Sequence, residues 1–259
     1  MRTFAVVNHK GGAGKTTTAV HLAWGLAEQG HRTLIVDLDP QGALATYFRL
    51  TPRYTLYHAV LGGVDPAQCL AAVRPGLDAL LADGTLAQLE LALADRPRRE
   101  SALRQFLEGV DGYDAVVFDC PPSLSLIIVN AFFAADALIA PVQMELLSFR
   151  GLIQTLEYAQ FMGRYLQYQP VFLGVVPTMV RDDDRWHQRW LKRTHNSLPP
   201  ERVLPPVPFD SAIPEGLQEG RTAFETAPEG PAAQRYWQMV ERVAANLTSH
   251  QAERSRVAE

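Results

Sequence analysis

The stretch Lys10-Gly-Gly-Ala-Gly-Lys-Thr-Thr17 stands directly behind a short apolar run, Thr3–Asn8. A strand that ends in a glycine-rich loop and resumes as a helix shapes a cradle for phosphate groups. Gly11, Gly12 and Gly14 carry no Cβ and reach positive φ at little cost, so backbone N–H groups can converge on an anion. Lys15 is placed to bring its charge to the β- and γ-phosphates and the Thr16 hydroxyl to ligate Mg²⁺, with Ala13 and Thr17 completing the loop. A helix opening near Lys15 adds the positive end of its dipole. Ala19, Leu22, Ala23, Leu26 and Ala27 recur at helical spacing and predict one buried stripe, which Gly30 then ends.

Outward from this loop, apolar runs alternate with helical patterns: Thr33–Asp37, Ala115–Asp119, Ala137–Val142 and Val171–Pro177. Runs without alternation, such as Ala115-Val-Val-Phe118, suit strands buried on both faces. The expectation is an α/β fold of the P-loop NTPase type, a mostly parallel sheet flanked by helices on both faces. Residues 51–110 read as helical, with Leu77–Leu81 a candidate extra strand. Residues 1–250 read as a single domain and 251–259 as a charged, flexible tail. The 259 residues are 47% hydrophobic and 20% charged, the balance of a soluble globular protein. No apolar run approaches the ~20 residues that span a bilayer, and the first strand begins too near Met1 to leave room for a signal peptide. Cys69 and Cys120 are far apart and outside any C-x-x-C, which argues against a zinc site or a disulfide framework. A reduced, cytoplasmic setting is expected. The net charge of −4 means that any contact with nucleic acid needs a local patch.

Ligands of open parallel sheets sit at the carboxyl ends of the strands. Asp119 ends one run ahead of Cys-Pro-Pro-Ser123, where a carboxylate can hold the shell of a Mg²⁺ ion through water. Asp37 and Asp39 close another in Val36-Asp-Leu-Asp-Pro-Gln-Gly42, and a period of two puts both on one side of the strand's end. The glycine-rich loop also departs from G-x-x-x-x-G-K-[ST]. His9 stands where the first glycine belongs, and Lys10 adds a second cation.

These segments resemble the ParA/Soj group of DNA-segregation ATPases, whose deviant Walker A motif reads K-G-G-x-G-K-T-T. The likeness covers about residues 1–245, through D-x-D-P-Q-G at 37–42, a Walker B block at Tyr113–Ser123, Ala135–Val142, and a helix from Glu145 with Arg150-Gly151-Leu152. It implies ATP and Mg²⁺ as cofactors, a slow ATPase, and a Lys10 that reaches across a dimer interface to the partner's nucleotide. It also implies that Asp39 positions or activates the attacking water and belongs with Thr16 and Asp119 to the metal site, and that Asp37 supports the metal region. Pro177-Thr178-Met179 and Pro206–Phe209 resemble the segments bordering the base, which singles out Pro177, Pro208 and Phe209.

On a helical wheel over Arg181–Leu198, Arg181, Arg185, Arg189, Lys192 and Asn196 share one face, with Arg193 at its edge. Trp190, Leu191, Thr194, Leu198 and His187 share the other. A cationic stripe on an acidic protein suits a phosphate backbone, and Arg221 lies in a segment resembling another DNA-contacting part of the family. A solvated face, partly neutralised by Asp182–Asp184, is the plainer alternative. The resemblance thus implies a homodimer in the ATP state, non-specific binding to double-stranded DNA, nucleoid association, and a ParB-type centromere-binding partner that speeds hydrolysis. Two rivals on the same scaffold are a MinD-like positioning ATPase, which wants a more apolar basic tail, and a small-molecule phosphotransferase.

Overall fold

The computed structural model describes residues 1–257, with side chains through Leu247. The chain runs through β1 (Arg2–Val6), α1 (Lys15–Glu28), β2 (Thr33–Asp37), α2 (Ala43–Phe48), α3 (Leu56–Val60), α4 (Pro66–Cys69), β3 (Leu70–Arg74) and β4 (Leu77–Leu80). It continues with α5 (Leu86–Ala94), α6 (Ala102–Glu108), β5 (Ala115–Asp119), α7 (Leu126–Ala134), β6 (Ala137–Gln143) and α8 (Leu146–Leu166). Then follow β7 (Val171–Thr178), α9 (Arg185–Ser197), α10 (Ala212–Glu219), α11 (Ala223–Thr226) and α12 (Pro231–Val257). The tail expected at 251–259 involves side chains outside the described ones.

The strands form one sheet in the order β3-β4-β2-β5-β1-β6-β7. Every neighbouring pair is parallel except β3 with β4. That antiparallel edge corrects the helical reading of 51–110. Leu70-Ala-Ala-Val-Arg74 is composed largely of helix formers, but Pro75-Gly76, with Gly76 at φ 78°, folds it back onto β4. The Pro-Gly pair was a turn signal in plain view.

Alternate strand residues feed two cores. Phe4, Val6, Ile35, Val117 and Ile139 lie in one, with residues of α1 and α12. Ala5, Leu34, Val36, Val116 and Phe118 lie in the other, with residues of α5, α6 and α7. Helix α1 is buried well beyond its predicted stripe, since Thr18, Val20, His21, Trp24 and Gly25 are also enclosed. The reason is α12, which packs on its outer side so closely that a Cβ on Gly25 would lie 2.5 Å from a Val240 methyl.

His21 shows what that enclosure costs a titratable group. Its Nδ1 lies 2.7 Å from the Thr17 carbonyl oxygen, and its Nε2 accepts the Ala223 N–H at 3.0 Å. The ring also stacks on Tyr236 at 4.2 Å. Only the neutral Nδ1–H tautomer satisfies both bonds, and burial lowers the pKa from 6.5 to about 4. The folded state therefore binds fewer protons than the unfolded chain between those values. Its stabilising share is complete above pH 6.5 and is lost as pH falls toward 4, a change of about 3 kcal/mol. Urea unfolding across that window should show this loss in the native protein, and His21→Gln should remove that part of the slope.

Candidate nucleotide-binding site

The loop 8–14 joins β1 to α1 at the carboxyl edge of the sheet, beside the ends of β2, β5 and β6. Gly12 and Gly14 take φ of 75° and 90°, values that favour glycine, whereas Gly11 does not enter the positive region. A Cβ at Gly11 or Gly12 would meet nothing within 4 Å, so the outer rim of the loop is open. The inner wall is fixed by the buried Ala13, whose carbonyl accepts the Thr178 hydroxyl at 2.9 Å. Lys15 opens α1 and is 7% exposed, its Nζ donating to the Lys10 carbonyl at 3.0 Å. Burial lowers its pKa, and the charges of Asp119, Cys120 and Asp39 oppose that shift.

Asp37 and Asp119 face each other in register at the ends of β2 and β5. Both are fully buried. Burial raises the Asp37 pKa, and Asp119 beside it adds to the rise. Asp119 is pushed up to about 7 by burial, with the Thr16 hydroxyl and Lys15 pulling back and Asp39 adding a little more. The two carboxylates are otherwise unlike. Asp37 is consumed by the chain itself, accepting the N–H groups of Asp39 and Leu44 at 3.0 Å each and so shaping the turn into α2. Neither oxygen of Asp119 has a partner within hydrogen-bond limits. A buried acceptor pair left open beside a phosphate cradle suits the water shell of a divalent cation. Asp39 lies beyond the strand end, half-buried, and one of its oxygens accepts the Gln41 N–H at 2.9 Å. The single-sided Asp37/Asp39 pair expected from strand periodicity therefore divides into a buried brace and a carboxylate on the rim.

Lys10 is held within its own chain. Its ammonium contacts the Glu145 carboxylate and the Gln143 amide oxygen, two groups at the junction of β6 and α8. The approach is possible because α8 presents Gly151 there: a Cβ on it would lie 2.6 Å from Asn8 Oδ1 and 2.9 Å from the Lys10 nitrogen. Asn8 itself accepts the Lys10 N–H at 2.9 Å and donates to the Pro141 carbonyl at 2.7 Å. Gln143, Glu145 and Asn8 were not singled out from sequence, although β6 ends at the edge where ligands gather.

A cleft of about 250 Å³ opens beside Gly14 and Thr17 and is walled by Met179, Pro208, Phe209, Ile213 and Leu217. Pro208 and Phe209 thus line this cleft. Pro177 does not, being a buried residue of β7 whose carbonyl accepts the Val207 N–H at 2.8 Å.

The cationic stripe is shorter than its helical wheel. Asp184 caps α9 by accepting the Trp186 N–H at 2.7 Å, so the helix starts at Arg185 and Arg181 lies outside it. The Arg181 guanidinium sits 4.2 Å over the Phe209 ring instead. Arg185, Arg189, Lys192 and Arg193 are all exposed on α9, while Trp190 turns inward and stacks on Phe149 of α8 at 4.9 Å. Arg221 is exposed between α10 and α11 and pairs with Glu219 at 3.1 Å.

Comparison with known proteins agrees with this geometry. Residues 1–169 match the family model described as an AAA domain. The chain is 40% identical over 188 residues to the chromosome partitioning protein ParA of Caulobacter vibrioides, covering 69% of this chain and 70% of that one. It is 32% identical over 247 residues to the chromosome-partitioning ATPase Soj of Thermus thermophilus, covering 95% and 97%. Among solved structures, cobyrinic acid a,c-diamide synthase from Mycobacterium smegmatis, with bound ATP analogue and magnesium, superposes with a TM-score of 0.83. It is 31% identical and the match covers 96% of this chain and 97% of that one.

Proposed function

The chain belongs to the ParA/Soj family of chromosome-partitioning ATPases, and we propose that it works as an ATP-gated pairing switch that grips DNA without regard to sequence. The observation that carries this reading is a phosphate loop with two lysines in different settings, Lys15 buried inside it and Lys10 on its rim. Gly11 to Thr17 cradle the phosphates, and Thr16 with Asp119 holds Mg²⁺, for which the open carboxylate oxygens of Asp119 are fitted. ATP·Mg²⁺ supplies the transferable phosphoryl group. Asp39 on the rim orients the attacking water, and Lys15 neutralises charge that builds on the phosphates. Lys10 reaches the partner's triphosphate, and Lys10 of the partner returns the contact.

A ligand moves an equilibrium only through unequal affinity for its two states. The γ-phosphate provides the inequality, because ADP lacks the terminal phosphate charge that Lys10 meets across the interface. Pairing doubles the basic face of α9 and so raises avidity for DNA. Hydrolysis then returns single chains that bind weakly, and a ParB-type partner that completes the positioning of water would set the rate. In this reading the protein works on the nucleoid. Among the described residues no helix is long and apolar enough to cross a membrane.

DNA binding measured at two salt concentrations without nucleotide, with ADP and with ATP tests the switch. Tight binding is expected with ATP alone, and equal binding in all three conditions contradicts it. Four phosphates neutralised by Arg185, Arg189, Lys192 and Arg193 give a slope of log K against log salt of about −3.6 per subunit. Charge reversal at Arg185 and Arg189 should bring it to about −1.8, whereas an unchanged slope removes α9 from the interface. The likeness to a cobyrinic acid diamide synthase favours one other reading, ATP-driven chemistry on a small carboxylic acid. Turnover stimulated by DNA and indifferent to such acids decides against it.

A further inference from the structure

We propose that Glu145 and Gln143 are positioning residues for Lys10 that hold it at its own subunit until nucleotide arrives, and so set the protein concentration at which pairing begins. The proposal rests on the pairing role given to Lys10 above and adds to it a competitor within the same chain. Three observations converge on it. The Lys10 ammonium is engaged by two side chains from one short junction, the carboxylate of Glu145 at the start of α8 and the amide oxygen of Gln143 at the end of β6. The backbone is built to bring them together, since Gly151 leaves room for the Lys10 main chain against α8 and Asn8 fixes the Lys10 N–H. The contact also reaches the base cleft: the other end of the Gln143 amide lies 2.9 Å from the sulfur of Met179.

Met179 is a cleft wall residue held at φ 54°, a conformation non-glycine residues adopt only when their surroundings impose it. A base entering the cleft meets Met179, to which Gln143 is anchored, while a triphosphate of the partner offers the ammonium a stronger counter-charge than Glu145. Both events bear on the same restraint. Release is then favoured by nucleotide on each side of the interface, and an empty subunit keeps its lysine.

The pair is partly exposed, the two side chains being 25% and 45% accessible. Such a pair is worth a factor of about three, and two are broken for each dimer formed, so removing them should lower the dissociation constant of the ATP dimer by about tenfold. Glu145→Gln keeps the size of the side chain and removes the charge. Sedimentation velocity over a protein dilution series with ATP, run on the native protein, Glu145→Gln, Lys10→Ala and the double variant, separates the possible failures. The proposal expects Glu145→Gln to pair at about tenfold lower concentration, with ATP affinity of the single chain and melting temperature unchanged, and the double variant to pair no better than Lys10→Ala. The ε-amine of Lys10 in nucleotide-free protein should also react faster with a limiting acylating reagent in Glu145→Gln than in the native chain, a change a merely structural Glu145 would not produce. Native-like pairing by Glu145→Gln, while Lys10→Ala fails to pair, overturns the restraint and leaves the switch standing. Weaker pairing by Glu145→Gln overturns it too, because Glu145 would then be serving the dimer. Native-like pairing by Lys10→Ala sinks the switch itself.

Discussion

Lys10→Ala is expected to bind ATP nearly as well as the native chain and to remain a single chain at concentrations where the native protein pairs. The two lysines of the loop predict this division. Lys15 is enclosed by its own loop and by Asp119 and Asp39, so the charge that holds a subunit's phosphates stays in place when Lys10 is truncated. The Lys10 ammonium is instead engaged by Glu145 and Gln143 at the β6–α8 junction. If its counter-charge in the dimer is the other subunit's triphosphate, each truncation leaves a buried anion without its cation. Losing one partner of such a pair costs about 2–5 kcal/mol, and it happens twice, so the dimer constant should weaken at least ~10³-fold. Fluorescent-nucleotide titration and sedimentation velocity read the two halves of the prediction separately.

Asp39→Ala should do the reverse, keeping the pair and stopping the reaction. Asp39 is a half-buried carboxylate beyond the end of β2, and among the described residues its carboxylate takes one hydrogen bond, from the Gln41 N–H to Oδ1, which leaves Oδ2 to hold a water. Removing a group that orients or deprotonates the nucleophile costs about 10²–10⁴-fold in turnover. Because the ATP-bound pair would no longer be reset, the variant should stay on DNA long after the native protein has left, with ATP binding and pairing intact. Steady-state phosphate release and DNA dissociation after ATP dilution check both statements. Undiminished turnover would remove Asp39 from the reaction and leave it a loop residue.

Much of this architecture was legible because it rests on short-range rules. Strands β2 and β5 and the first residue of α1 fall where the apolar runs and the glycine-rich loop place them. Asp119 ends the run that predicted it. The misreadings have physical reasons in common. β3 was lost because Ala and Leu favour helix locally, and pairing with β4 overrides that preference. The α9 wheel ran four residues too far because the start of a helix is decided by its cap, here Asp184, and not by the phase of its charges. Asp37 supports this edge by accepting the Asp39 and Leu44 N–H groups, a detail that strand periodicity cannot supply, because it gives the side of a strand and not which backbone N–H groups use the carboxylate. Glu145 and Gln143 lie 133 residues or more from Lys10 in sequence, a contact that no local pattern reveals.

The most direct test is the mass in solution of the native protein with Mg²⁺ and either ADP or a non-hydrolysable ATP analogue, measured by light scattering in the absence of DNA. The account predicts the mass of one chain with ADP and of two with the triphosphate. One and the same mass in both nucleotides would contradict it, whatever the DNA measurements gave.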